Sequence, residues 1–358
     1  VWESPIYPPA FVVLLVLIGI GTVIAGMRLT GGLGPFVGST DEYAWGVWKT
    51  FNVMALTALG SGAMAVGIAA WVFHKKEYHT IMRAALVTSF LFYATGLLGI
   101  TTDIGRPWNF WNAILPWRWN TESAMLEISI AMPLYCFFFL AFENSPLVVE
   151  RIWFTGTKKQ RDRIRRWRPR MRAIYPFMVA GAFLIPIGHQ SALGGLLVLA
   201  GDKIHPLWQS PVLPILYLIQ AGVCGVAFVV VCVMASCFAW RRPLDMKVIG
   251  SLCKLLSGLV LVWLVFRFTD LIVRGQLKYA MTWDAMTAGF LIENLLVLIP
   301  ALVLLRPKPR ETPPVAFLMP VLACAGALLY PFMPPPAPYL PGTHDASLPS
   351  RTELPLPH

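Results

Sequence analysis

The chain has 358 residues, 57% of them hydrophobic and only 13% charged, with a mean hydropathy of +0.64. Soluble domains carry roughly 25% charged residues, so this composition excludes a soluble fold. The net charge of +11 belongs to the loops of a membrane protein and calls for no nucleic acid.

A helix needs about 20 apolar residues to cross the hydrocarbon layer. Segments that meet or approach that length are Ala10 to Gly26, Val47 to Val72, Ala84 to Thr102, Ala124 to Phe142, Ala173 to Ala200, Val212 to Trp240, Leu252 to Val273, Ala285 to Leu305 and Val315 to Phe332. The short alternating strands of a barrel do not occur. The fold class is therefore all-α and polytopic, with nine or ten transmembrane helices. The first segment lacks a basic n-region and a small-residue cleavage site, and is read as a retained helix.

Basic residues fall in alternate loops. Lys75, Lys76 and Arg83 lie between helices 2 and 3, and ten more between Arg151 and Arg172 link helices 4 and 5. Arg241, Arg242, Lys247 and Lys254 follow helix 6, and Arg306, Lys308 and Arg310 follow helix 8. The positive-inside rule places these loops and the N-terminus in the cytoplasm. The other loops, rich in Trp, Gly and Pro, face the periplasm of a bacterial inner membrane. Trp108, Trp111, Trp117 and Trp119 are expected to be mostly interfacial.

A weak repeat organises the chain. Thr102-Asp103 is followed 24 residues later by Glu127, and Thr269-Asp270 is followed 23 residues later by Glu293. An arginine trails each aspartate, at Arg106 and Arg274. The boundaries that follow are an N-terminal segment with helix 1 (1–45), a first four-helix bundle (46–200), a second (201–333) and a proline-rich extramembrane tail (334–358).

Ionisable groups inside a membrane are costly and are functional suspects by default. Counting depth along the helices places Asp103, Glu127, His189, Arg267, Asp270 and Glu293 in the outer part of the membrane. Such a cluster serves either as a site or as a set of structural ion pairs such as Arg267–Asp270. The six cysteines form no CxxC pair and are expected to be packing residues. A b-haem wants two histidines on facing helices. Only His189 and His205 lie on the outer side, His205 in a loop, with His74 and His79 on the opposite surface. Neither haem nor metal is expected. A quinone suits the cluster better: its ring needs an apolar slot, and its carbonyls need donors that change protonation with redox state. Those protons are expected to exchange with the outer side. A transporter or proton channel would need polar groups continuing through the inner half, where they are sparse. A purely structural anchor would need no buried acids.

The segments Tyr43-Ala-Trp-Gly-Val-Trp48, Ile100-Thr-Thr-Asp-Ile-Gly-Arg106 with Trp108-Asn109, Asn120 with Ser123 and Glu127, His189-Gln-Ser191 with Gly194, His205-Pro-Leu-Trp-Gln-Ser210, Arg267-Phe268 and Ile292-Glu293 make the chain resemble the NrfD/polysulfide reductase membrane-subunit family. The likeness is greatest to its HybB branch, the membrane subunits of periplasmic NiFe hydrogenases. The resemblance implies two four-helix bundles with flanking helices, ten helices in that branch against nine legible here, and no cofactor of the subunit's own. It also implies a menaquinone or ubiquinone site near the periplasmic face. A ferredoxin-like iron–sulfur partner would carry electrons to or from a catalytic subunit. NiFe hydrogenase is the favoured one, with sulfite-reduction-linked, polysulfide, formate and alternative complex III assemblies as alternatives. Depth and motif together single out Asp103 and His189 to act on the quinone and Glu127 to relay protons. Arg106, Trp108, Gln190, Ser191 and His205 are expected as further quinone contacts, and Arg267, Asp270 and Glu293 as structural or relay groups.

Overall fold

The computed structural model describes residues 9–32, 49–104, 106–120, 124–282 and 284–333. The motif at 43–48 and the tail at 334–358 lie outside the described residues. Among those described, nine helices are long and apolar enough to cross a membrane, and no strand occurs. They are α1 (Pro9–Gly31), α2 (Thr50–Val72), α3 (His79–Asp103), α4 (124–155), α5 (Lys158–Ala200), α6 (Leu213–Ala239), α7 (Met246–Val273), α8 (Ala285–Leu305) and α9 (Pro313–Phe332). The all-α polytopic class read from the sequence is correct.

One sequence expectation needs correction. The basic stretch from Arg151 to Arg172 is not a loop, because α4 continues to Thr155 and α5 begins at Lys158. The turn between them is closed by a capping box: Gln160 N–H donates to Thr157 Oγ1 at 3.4 Å, and Thr157 N–H to Gln160 Oε1 at 2.7 Å. With 43 residues, α5 is about 64 Å long at 1.5 Å per residue, roughly twice the hydrocarbon thickness. A charged residue is no obstacle to a helix in water, so the basic run extends the helix beyond the apolar zone.

Internal prolines occur in α4, α5, α8 and α9, and those of α4 and α5 bear on the site. In α4, Pro133 immediately precedes a π-helical segment, Leu134–Leu140. A proline has no N–H for the i−4 carbonyl and its ring crowds that carbonyl, and the wider π turn accommodates both. In α5, Pro169, Pro176 and Pro186 interrupt the hydrogen-bond ladder at three levels. The second helix also begins and ends in π segments, Thr50–Ala55 and Ile68–Val72.

Helix α6 packs against α2, α3, α5, α7 and α9. Its crossing with α2 is set by glycines: a Cβ on Gly62 would lie 2.5 Å from Val229 and 2.8 Å from the Gly225 carbonyl. Small residues let backbones approach where no water is expelled to drive association. The larger apolar core draws on α2, α3 and α5 to α9. A smaller one, built on Tyr93, Met132, Tyr135, Cys136, Phe139, Leu140, Met178 and Ala182, lies between α3, α4 and α5. Cys136, Cys224, Cys253 and Cys324 are buried, and all six cysteines are free thiols, as packing residues would be.

The two ends of the bundle are chemically distinct. At one end the Tyr78 hydroxyl lies 2.9 Å from Ser251 Oγ, which donates to Glu77 at 2.5 Å, and Arg83 forms a two-pronged bridge to Glu150. This basic face joins the 2–3, 4–5 and 6–7 connections, as the charge pattern requires. At the opposite face Arg28 Nη2 donates to the Ile104 carbonyl at 2.7 Å, tying α1 to the end of α3. Elsewhere α1 exposes its apolar side chains, Ile18 and Val23 among them, as a lipid-facing helix does.

Candidate functional site

The predicted residues fall into two groups. In the second half, Glu293 on α8 is completely buried and forms an ion pair with Arg267 on α7. Its other carboxylate oxygen accepts a hydrogen bond from Trp208 Nε1 at 2.9 Å. The Arg267 guanidinium sits 4.9 Å from the Trp263 ring, 4.8 Å from Phe290 and 4.7 Å from Tyr330. Such stacking is favourable for a weakly hydrated planar cation. A buried charge is tolerable when paired and hydrogen-bonded: Glu293 is both, while Arg267 Nε and Nη2 have no hydrogen-bond partner among the described residues and the three rings surround them. The alternative pairing Arg267–Asp270 is not formed. Asp270 instead accepts two hydrogen bonds from its i,i+4 neighbour Arg274, at 2.6 and 2.9 Å, while its i,i+3 neighbour Arg267 is engaged by Glu293.

The first half is organised differently. Asp103 ends α3 and accepts a hydrogen bond from Asn52 Nδ2 at 3.2 Å, with Asn52 held in the π turn of α2. Gly99 permits this, because a Cβ there would lie 2.6 Å from Asn52 Cγ. His189 on α5 is fully buried, and neither ring nitrogen has a hydrogen-bond partner among the described residues. The next residue, Gln190, is buried with Nε2 equally without a partner. The His189 ring lies 6.0 Å from Tyr93, and Tyr93 meets Tyr135 edge-on at 4.6 Å. Buried polar atoms are normally hydrogen-bonded, so an orphaned imidazole beside an orphaned amide is what a bound polar ligand would satisfy.

These two levels differ. Tyr93 precedes Asp103 by ten residues on α3, so His189 sits about 15 Å deeper than Asp103 along the helix axis. The depth count from sequence merges them into one layer. Arg106 and Trp108 lie exposed beyond α3, and Ser191 is half-buried. His205 lies in the connection before α6. It accepts from Leu207 N–H at 3.3 Å and packs edge-on against Trp208 at 5.6 Å and Tyr279 at 5.9 Å. Burial pushes its pKa below the ordinary histidine value, and nearby Asp284 pulls in the opposite direction. Glu127 lies on α4, but its side chain is outside the described set.

Three participants escape a sequence search for site groups. Asn52 carries no charge and so raises no suspicion. Trp208 enters only as one member of a motif, though an indole N–H in a buried segment needs an acceptor. Tyr217 links the halves: its ring is 5.2 Å from Tyr330, and its hydroxyl lies 4.0 Å from the Met54 sulfur, two residues beyond Asn52. Of the loop tryptophans, Trp108, Trp111 and Trp117 are 66%, 50% and 77% exposed, as interfacial residues are.

Residues 36–333 match the family model described as polysulphide reductase, NrfD. The chain belongs to the NrfD family. Its relatives include the "Probable Ni/Fe-hydrogenase 2 b-type cytochrome subunit" of Escherichia coli K12, 31% identical over 98% of this chain and 85% of that protein. The "Menaquinone reductase, integral membrane subunit" of Nitratidesulfovibrio vulgaris Hildenborough is 28% identical over 87% of this chain and 77% of that protein. This NrfD-family chain is thus a multi-pass membrane protein whose relatives are membrane subunits of oxidoreductase complexes. The hydrogenase relative is called a b-type cytochrome, which raises the question of haem. His189 has Tyr93 as its ring neighbour, His205 packs on Trp208 and Tyr279, and His79 meets Trp71 edge-on at the basic face. The described residues therefore offer no facing histidine pair, and among them no cluster suits a metal ion.

Proposed function

We propose that this NrfD-family chain is the quinone-reactive membrane subunit of a multi-subunit oxidoreductase. It exchanges electrons between an iron–sulfur subunit docked on its outer, periplasmic loops and the menaquinone or ubiquinone pool. A NiFe hydrogenase is the favoured catalytic partner, in line with the Escherichia coli relative's name. The observation that carries the reading is the fully buried His189 with two partnerless ring nitrogens beside partnerless Gln190 Nε2. Neutral imidazole offers one donor and one acceptor, which suits both a quinone carbonyl and a quinol hydroxyl. Asn52 and Asp103 stand about 15 Å nearer the outer face, where Asn52 Nδ2 donates to Asp103 at 3.2 Å. The chain holds no haem of its own, so its purified form should show no Soret band.

The test is His189→Ala in the assembled complex. Removing one hydrogen-bond partner from a ligand in a buried site costs about 1–3 kcal/mol, roughly 5- to 150-fold in rate. Turnover with a short-chain naphthoquinone should fall by that factor, while reduction of a soluble dye by the catalytic partner stays unchanged. Wild-type quinone turnover in the variant would refute the assignment.

A further inference from the structure

A cavity of about 570 Å³ opens between α2, α3, α4 and α5 on the basic face, far larger than the roughly 15 Å³ that one water needs. Its lining runs from Arg83, Arg168 and Arg172 at the mouth, past Glu143, to Tyr135. Arg83 is already bridged to Glu150. Glu143 Oε1 and Tyr135 Oη are buried with no hydrogen-bond partner among the described residues, as is Asn144 Oδ1. Glu143 stands eight residues after Tyr135 on the same helix, about 12 Å along it.

The backbone supplies a second, independent observation. Prolines at 146, 176 and 186 cannot donate to the carbonyls of Phe142, Arg172 and Ala182. All three of those residues line the cavity. In a membrane such freed carbonyls are re-satisfied by water or by neighbouring side chains. The orphaned carboxylate, phenol and amide oxygens of Glu143, Tyr135 and Asn144, with the carbonyls that have no proline N–H to accept from, supply the two to four polar partners that each ordered water requires. From Tyr135 the contact continues to Tyr93 at 4.6 Å and to His189 at 6.0 Å.

We propose that this cavity is a water-filled proton intake connecting the basic, cytoplasmic face to His189 by way of Glu143 and Tyr135. It rests on the reading of His189 as the quinone contact. Reducing a quinone takes two electrons, from the iron–sulfur partner, and two protons; oxidising the quinol releases the same. The intake carries these protons, so exchange runs through the basic face instead of the outer side expected from the sequence.

The experiment uses the whole complex in vesicles of known orientation, a short-chain naphthoquinone or its quinol, and a pH dye confined to one compartment. Wild type should exchange its scalar protons on the basic-face side. Glu143→Gln and Tyr135→Phe should slow quinone turnover by about 100-fold, the low end of what a positioned proton-transfer group contributes, with dye activity unchanged. Glu143→Asp should restore part of the rate. Wild-type proton exchange on the outer side would overturn the intake whether or not the variants assemble. So would wild-type turnover in both variants. If His189→Ala is inactive with quinone while Glu143→Gln and Tyr135→Phe are not, the intake alone fails; normal turnover in His189→Ala removes the quinone reading itself.

Discussion

The two halves of the molecule carry Asp–Glu pairs at nearly the same spacing but use them in opposite ways. In the second half the charges are closed on one another: Glu293 is held by Arg267 and Trp208, and Asp270 by Arg274. In the first half position 100, the counterpart of Arg267, is isoleucine. Asp103 there accepts a hydrogen bond from a neutral amide, Asn52, among its contacts, and His189 is left with ring nitrogens that no described residue satisfies. A buried group whose partners are all internal holds a fold together. A buried group without internal partners costs stability, and its retention points to a ligand. On the proposed reading the halves divide labour, with the paired charges of α6–α9 as framework and α2–α5 as the reactive site.

The largest effect should come from breaking the framework. Glu293→Ala leaves Arg267 buried without its anion, which costs about 3–5 kcal/mol. Thermal melts of the detergent-purified subunit should register this, and quinone and dye activities should fall together because the complex fails to assemble. The double variant Arg267→Met/Glu293→Leu removes both charges at similar volume and should regain most of the lost stability. Continued low stability in the double variant would mean that the ion pair does more than hold the helices.

Much of this contrast is legible in the sequence, and its limits have physical causes. Apolar length picks out all nine spans of the described residues, and charge alternation picks out the face shared by Tyr78, Ser251 and Arg83. The pairing of Arg267 is not legible, because Asp270 and Glu293 are equally good anions on paper and only helix packing decides between them. The depth of His189 is legible only if the eleven residues that separate it from the outer end of α5 at Ala200 are counted; grouping it with Asp103, which ends α3, passes over them. The capping box at Thr157 and the helical basic run before the membrane look like a loop from charge alone. Asn52, Tyr135 and Tyr93 carry no charge, so a search for ionisable groups passes over them. The cavity is invisible in any linear reading, since its walls come from four helices.

A smaller effect should come from the first half's own hydrogen bond. Asn52→Ala removes the donor to Asp103, a bond to a charged acceptor worth about 1.5–3 kcal/mol when buried; partial exposure of Asp103 puts the effect at the low end. Stability should drop modestly, and quinone turnover should drop with it while dye activity holds, because the outer end of α3 loses its tie to the π turn of α2. Loss of dye activity in parallel would move Asn52–Asp103 into the framework and blur the distinction between the halves.

The smallest effect concerns His205 and Asp284, which flank the framework at the outer face. Burial depresses the His205 pKa, so the folded chain releases that proton at lower pH than the unfolded chain does. Between the folded value and the ordinary value near 6.5, the unfolded state binds more protons. Stability therefore rises with pH through that window and is lost as pH falls through it. Asp284 is held below its ordinary value first by the Thr287 backbone N–H, which donates to it at 2.7 Å. Its contribution is present above the ordinary carboxylate pKa and fades only at lower pH. The two windows are separate, so between pH 7 and pH 5 the difference between wild type and a variant lacking the imidazole reports on the histidine. The wild-type midpoint should decline over that range more steeply than that of His205→Gln, which keeps a polar side chain without the titration. Because His205 touches Trp208, and Trp208 holds Glu293, the slope should vanish in the Arg267→Met/Glu293→Leu background only if that contact sets the burial of the imidazole. An unchanged slope there would assign His205 to the loop alone, independent of the ion pair beneath it.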